Sequence, residues 1–106
     1  MERLVTGYKV LVVDDSAFMR KVISDALKTH PQISAVETAF NGQAALTKFR
    51  EFNPDVVTLD IEMPVMDGIT TLQEIMKIKK IPVIMCSTLT KSGAEITIKA
   101  LELGAF

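Results

Sequence analysis

Cysteine is almost absent from this chain: Cys86 is the one among 106 residues, so no disulfide forms within it. That usage fits a reducing compartment. Cys86 sits inside the apolar run Val83-Ile84-Met85-Cys86, which predicts a small buried hydrophobe rather than a nucleophile. Histidine is equally scarce. His30 stands alone beside Pro31, as a surface or helix-end residue would, and no His/Cys cluster offers ligands to a soft metal. An excess of one charge is also missing: twelve Lys+Arg against thirteen Asp+Glu leave −1. The global electrostatic argument for nucleic acid or an anionic membrane therefore falls away. The bunches Lys77-Lys79-Lys80 and Arg20-Lys21 read as solvated helix ends. Met1-Glu2-Arg3-Leu4 has no apolar signal core, and no hydrophobic run reaches membrane-spanning length. The expected location is the cytoplasm. Repeats, low-complexity tracts and linkers are absent too, which leaves one domain over residues 1–106.

Apolar residues make up 48% of the chain and the mean hydropathy is +0.28, values that suit a sheet covered by helices on both faces. Strand and helix signals alternate. Tyr8 to Asp14 reads as a first strand, and Ser16 can cap a helix with apolar positions Phe18, Met19, Val22, Ile23, Ala26 and Leu27. Pro31 ends that helix. Ile33 to Phe40 is a weaker strand suited to a sheet edge, and Asn41-Gly42 turns into a second helix with Ala45, Leu46, Phe49 and Phe52 on one side. Asn53-Pro54 stops it before a third strand, Asp55 to Asp60. A loop over Met63 to Asp67 leads to Gly68 and a third helix with Ile69, Leu72, Ile75 and Met76 inward. Pro82 introduces a fourth strand, Val83 to Cys86. The loop Ser87-Thr88-Leu89-Thr90 precedes a fourth helix from Ser92 to Leu103, with Gly104 as its C-cap. Ala105-Phe106 reads as the opening of a fifth strand. Such alternation predicts right-handed crossovers and a doubly wound parallel α/β sheet.

Two apolar runs, Val10-Leu11-Val12-Val13-Asp14-Asp15 and Val56-Val57-Thr58-Leu59-Asp60, end in carboxylates. In doubly wound sheets ligands bind beyond the carboxyl ends of strands, where the winding reverses. With strand order beginning 2-1-3, Asp14, Asp15 and Asp60 meet in one crevice. Crowded like charges are costly unless neutralised, and a hard cation of the Mg²⁺ (or Mn²⁺) type is the natural neutraliser. A helix starting at Ser16 adds positive potential from its amides. Asp60 is then the candidate nucleophile, since a carboxylate can take a phosphoryl group as an acyl phosphate. Ser87, at the end of the fourth strand, is either a plain turn residue or a hydroxyl for the phosphate cradle; the converging acids favour the cradle.

The stretches Val-Leu-Val-Val-Asp-Asp-Ser at 10–16, Leu-Asp-Ile-Glu-Met-Pro-Val-Met-Asp-Gly at 59–68 and Ile-Met-Cys-Ser-Thr at 84–88 together resemble a response-regulator receiver domain. The resemblance runs in order along nearly the whole chain. It implies a flavodoxin-like sheet of order 2-1-3-4-5 and Asp60 as phosphoacceptor. It further implies Mg²⁺ held by Asp15, Asp60 and the backbone carbonyl of Glu62, with Asp14 acting through water. Ser87 and Thr88 would form the switch and phosphate-binding hydroxyls, while Met63-Pro64 and Asp67-Gly68 would shape the neighbouring loop. Asp-Ser-Ala-Phe-Met-Arg at 15–20 is similar to chemotaxis regulators. Ser-Thr-Leu-Thr at 87–90, with residues 93–105, is similar to the regulatory domain of chemotaxis protein-glutamate methylesterases.

The implied partners are a sensor histidine kinase as phosphodonor and a C-terminal effector domain in a longer protein, with neither nucleic acid nor membrane engaged directly. Receivers also carry a lysine at the end of the fifth strand, a switch aromatic and a fifth helix. The chain stops at Phe106, at the start of the fifth strand. Lys91 and Lys99, which open and lie within the fourth helix, do not replace that lysine. The catalytic lysine is accordingly expected to be missing, and the open sheet edge invites a homodimer or strand exchange. The chain itself is expected to be a phosphoryl-accepting switch and not an enzyme, its longer parent a methylesterase. Two alternatives are an inert receiver-like interaction domain and an aspartate-nucleophile phosphohydrolase. The second wants an aspartate where Glu62 stands.

Overall fold

A computed structural model describes residues 7–60, 63 and 66–86. The elements run β1 (Tyr8–Val13), α1 (Ala17–Lys28), β2 (Ile33–Ala39), α2 (Gly42–Phe52), β3 (Val56–Asp60), α3 (Gly68–Ile78) and β4 (Val83–Cys86). All strand pairings are parallel, in the order β2-β1-β3-β4. The expected order is thus present over its first four strands, and the weakly patterned β2 does lie at an edge. The expected fourth helix (Ser92 to Leu103), the Gly104 cap and the fifth strand at Ala105-Phe106 lie outside the described residues.

Element ends follow local chemistry. Ser16, Asn41 and Asp67 each accept a hydrogen bond at the helix start, from the N–H of Met19, Ala44 and Thr70 at 3.2, 2.8 and 2.7 Å. These side chains satisfy amides that a helix leaves unpaired in its first turn. Ser16→Ala is expected to lower stability by about 1 kcal/mol, read from the urea midpoint at unchanged slope. Asn53 closes α2 in the left-handed region, at φ 52, where asparagine is tolerated better than most residues. Strand β3 starts at Val56, one residue later than the pattern predicted. Asp55 is spent on β1: its carboxylate accepts from the Lys9 N–H at 2.8 Å, and its own N–H donates to the Lys9 carbonyl at 2.8 Å.

Alternation sorts the strands onto two faces. Leu11, Val13, Val57, Leu59 and Val83 join Ala45 and Phe49 of α2 and Leu72 and Ile75 of α3 in one core. Helix α1 covers the opposite face, over β2 and β1, as the reversal of winding at β1 requires. Burial of an aliphatic side chain contributes about 1.5–3 kcal/mol, and Leu11, Leu59, Leu72, Ile75, Val57 and Val83 are fully buried.

Helix α1 departs from expectation. Of its six predicted apolar positions, Ile23 and Leu27 are half-buried, whereas Phe18, Met19, Val22 and Ala26 are exposed, Phe18 by 73%. The one buried residue is Ser24. At about 100° per residue the six apolar positions cover half the helix circumference. Only the half around Leu27 meets the sheet, and the flank through Phe18 and Val22 turns outward.

Candidate metal and phosphoacceptor site

The ends of β1 and β3 deliver the acids. The Asp14 N–H still donates to the Ala39 carbonyl at 3.1 Å, so the chain leaves β1 along the ladder before turning. The Asp14 carboxylate then accepts from the Ser16 N–H at 2.9 Å, and the Arg20 guanidinium donates to the Asp14 carbonyl at 2.8 Å. This turn fixes Asp14 inward at 7% exposure, while Asp15 points to solvent and Asp60, the last residue of β3, is half-buried. Adjacent aspartates on a strand face opposite ways; the turn after Val13 brings both to one place.

Asp14, Asp15 and Asp60 each present an oxygen, all within 4.8 Å of one another. Oxygens on opposite sides of a hard divalent ion are separated by about 4 to 5 Å, so size and donor chemistry both fit such an ion. Asp14, Asp15 and Asp60 are the three sequence-predicted residues that the structure brings together. Glu62, Ser87 and Thr88 lie outside the described residues. Two supports of Asp14 went unpredicted: the Ser16 N–H and the Arg20 guanidinium. An aspartate two residues before a serine is a known turn-forming spacing and could have revealed the first. Nothing in the sequence marks the second.

Cys86 also borders the site, opposite Asp60 in register. It is half-buried, not fully buried as its apolar run predicts, and Ile84, two residues earlier on β4, is 45% exposed. Burial pushes its thiol above the ordinary value, and the Asp14 and Asp60 carboxylates push it further. Deprotonation of the folded protein then lags that of the unfolded chain. Stability contributed by the protonated thiol is complete below the unfolded thiol's value and declines as pH rises above it. Cys86 is expected to react with iodoacetamide more slowly than a free thiol at neutral pH, with a rate–pH midpoint above that of the denatured protein. A midpoint at or below the denatured one would contradict this electrostatic picture.

A family model described as response regulator receiver domain matches residues 10–106. The chain is 59% identical over 97 residues to a protein-glutamate methylesterase/protein-glutamine glutaminase of Geobacillus kaustophilus, covering 92% of this chain and 28% of that protein. A Bacillus subtilis protein of the same description is 57% identical over 98 residues, with the same coverage of 92% and 28%. The chain thus spans little more than a quarter of the length of these relatives. Among solved structures, the response regulator domain of Thermotoga maritima CheB is similar at TM-score 0.85 and 50% identity, over 93% of this chain and 74% of that one. The CheX-CheY-BeF3-Mg complex from Borrelia burgdorferi is similar at TM-score 0.82 and 38% identity, over 94% and 75%. Fold, converging acids and matched length agree, and the chain belongs to the response regulator receiver domain family.

Proposed function

We propose that this domain takes a phosphoryl group on Asp60 from a phosphohistidine of a sensor kinase, in a Mg²⁺-dependent reaction, and thereby switches an effector. The carrying observation is the convergence of three carboxylates, from the ends of two non-consecutive strands, within 4.8 Å. An Asp60 carboxylate oxygen attacks phosphorus, the phosphorus–nitrogen bond breaks, and the departing imidazole takes up a proton. The product is an acyl phosphate. Asp15, Asp60 and the Glu62 carbonyl would hold the cation, with Asp14 acting through water. Bound there, the cation supplies positive charge against the phosphoryl oxygens. Ser87 and Thr88 would offer hydroxyls to the transferred group. The related Borrelia complex contains BeF3 and Mg together, which supports the same chemistry here. In a longer protein the effector would be a methylesterase domain, as in the relatives' names. The proposal locates the domain in the cytoplasm; among the described residues, no helix is long and apolar enough to cross a membrane.

Incubation with Mg²⁺ and a small acyl-phosphate donor tests the reading. The expected result is one added phosphoryl group, mapped to Asp60 and lost with EDTA. Silence in the presence of Mg²⁺ would sink the proposal, and turnover of many phosphomonoesters would favour the phosphohydrolase alternative.

A further inference from the structure

Helix α1 turns a mixed stripe to the sheet. Of its twelve residues, Arg20, Ile23, Ser24 and Leu27 are buried or half-buried, and every other one is exposed. The spacing i, i+3, i+4, i+7 is that of one helical face. An arginine therefore heads a stripe that packing alone would fill with an aliphatic residue, while Phe18 and Val22 stand outside it. Lys21 next to it is solvated, with its side chain 76% exposed. The Arg20 guanidinium instead reaches the acid-bearing end of the sheet. The β1–β2 ladder ends at the pair Val13–Ala39, and the next carbonyl, that of Asp14, accepts from Arg20 Nη1 at 2.8 Å. Two further bonds close a ring. The Arg20 N–H donates to the Ser16 carbonyl at 2.9 Å, and the Ser16 N–H donates to the Asp14 carboxylate at 2.9 Å.

We propose that Arg20 is a positioning residue of the acidic site: it locks the peptide that joins Asp14 to Asp15, so that both carboxylates stay turned toward Asp60. The carbonyl that Arg20 holds belongs to that peptide. A peptide group is planar, so fixing its oxygen also fixes the direction in which the chain enters Asp15. Asp15 is exposed, and packing does little to orient it. A guanidinium suits the task, being planar and always charged, with donors that no ordinary pH removes. Its charge acts in the opposite sense, since a cation beside the site repels a second one. Loss of Arg20 would therefore weaken cation binding if orientation dominates and tighten it if charge does. Groups hydrogen-bonded around metal ligands set affinity through orientation, by about tenfold or more, and orientation is the effect the ring of bonds supports.

The inference rests on the Mg²⁺ reading above, and Mg²⁺ titration of the whole chain, followed through the amide resonances of Asp14, Asp15 and Asp60, tests it separately from phosphorylation. Arg20→Met keeps a long apolar stem and loses the donor; it is expected to weaken Mg²⁺ binding about tenfold. Arg20→Lys, which keeps a charged donor, should bind more tightly than Arg20→Met. Leu27→Ala is the control for a merely structural role, because it loosens the same stripe seven residues further from the acids. It should melt lower than wild type yet bind Mg²⁺ as wild type does. Unchanged or tighter binding in Arg20→Met would overturn the inference alone, as would equal weakening in Leu27→Ala. A wild-type chain that binds no Mg²⁺ would remove the metal reading and this inference with it. A wild-type chain that binds Mg²⁺ yet takes no phosphoryl group would remove the phosphoacceptor reading alone, leaving Arg20 to be judged on these binding constants.

Discussion

Asp60→Asn is expected to abolish the Mg²⁺-dependent adduct, cutting its rate of formation by at least about a thousandfold, the scale on which loss of a nucleophile registers. Asparagine keeps the size and planarity of the side chain but offers an amide in place of the attacking oxygen. Asp60 closes β3 at the rim of the sheet, outside the buried core cluster, so the fold should survive and melting should change little. The same variant removes one of the two carboxylates acting on the Cys86 thiol, and the alkylation midpoint should move back toward that of a free thiol. Asp14→Asn is the informative comparison: the nucleophile remains, so the adduct should form but demand more Mg²⁺. A comparable adduct yield in Asp60→Asn would mean that another residue accepts the phosphoryl group.

Gly42→Ala should produce the larger structural effect, a loss of about 2–3 kcal/mol, at the upper end of what overpacking costs. Gly42 opens α2 against the start of α3. A Cβ there would fall onto Thr71 Oγ1 and lie 2.8 and 2.9 Å from Met66 Cβ and Cγ. Thr71 is fully buried, and its hydroxyl donates to the Asp67 carbonyl at 2.8 Å, so it cannot step aside without disturbing the start of α3. Urea denaturation would measure the loss. Adding Thr71→Ala to Gly42→Ala should recover part of it, a coupling that a double-mutant cycle reads directly. Wild-type stability in Gly42→Ala would show that α2 and α3 part more easily than their packing implies.

The core arrangement of this domain was legible because its two central strands, β1 and β3, are largely runs of Val and Leu that lead into acids. A run such as Val10 to Val13 specifies burial on both faces, and an acid at its end specifies the carboxyl rim. Two such ends in one domain leave few strand orders. Helix α1 shows where that legibility stops. Spacing identifies a helix and its apolar positions, but whether Phe18 or Leu27 faces the sheet depends on how the helix lies across β1 and β2, which no local signal encodes. Contacts such as Gly42 against Thr71 join residues far apart in sequence, and a glycine before a helix reads as a turn. Thr58 of β3, whose buried hydroxyl has no hydrogen-bond partner, is equally invisible, since threonine in a strand is ordinary until its neighbours are known.

The register of β1 against β3 has a kinetic consequence. Val10 pairs with Val56 and Val13 with Leu59, so the carboxylates become neighbours only after a long intervening segment, β2 and two helices included, has been closed into a loop. No hairpin or isolated β-α-β fragment can preassemble the cluster. A cation bound there is therefore bound to the completed central pairing of the sheet and to no earlier species. It stabilises the native state by mass action and should slow unfolding more than it speeds folding. In this chain the ion would act as a latch, closing only on the finished molecule.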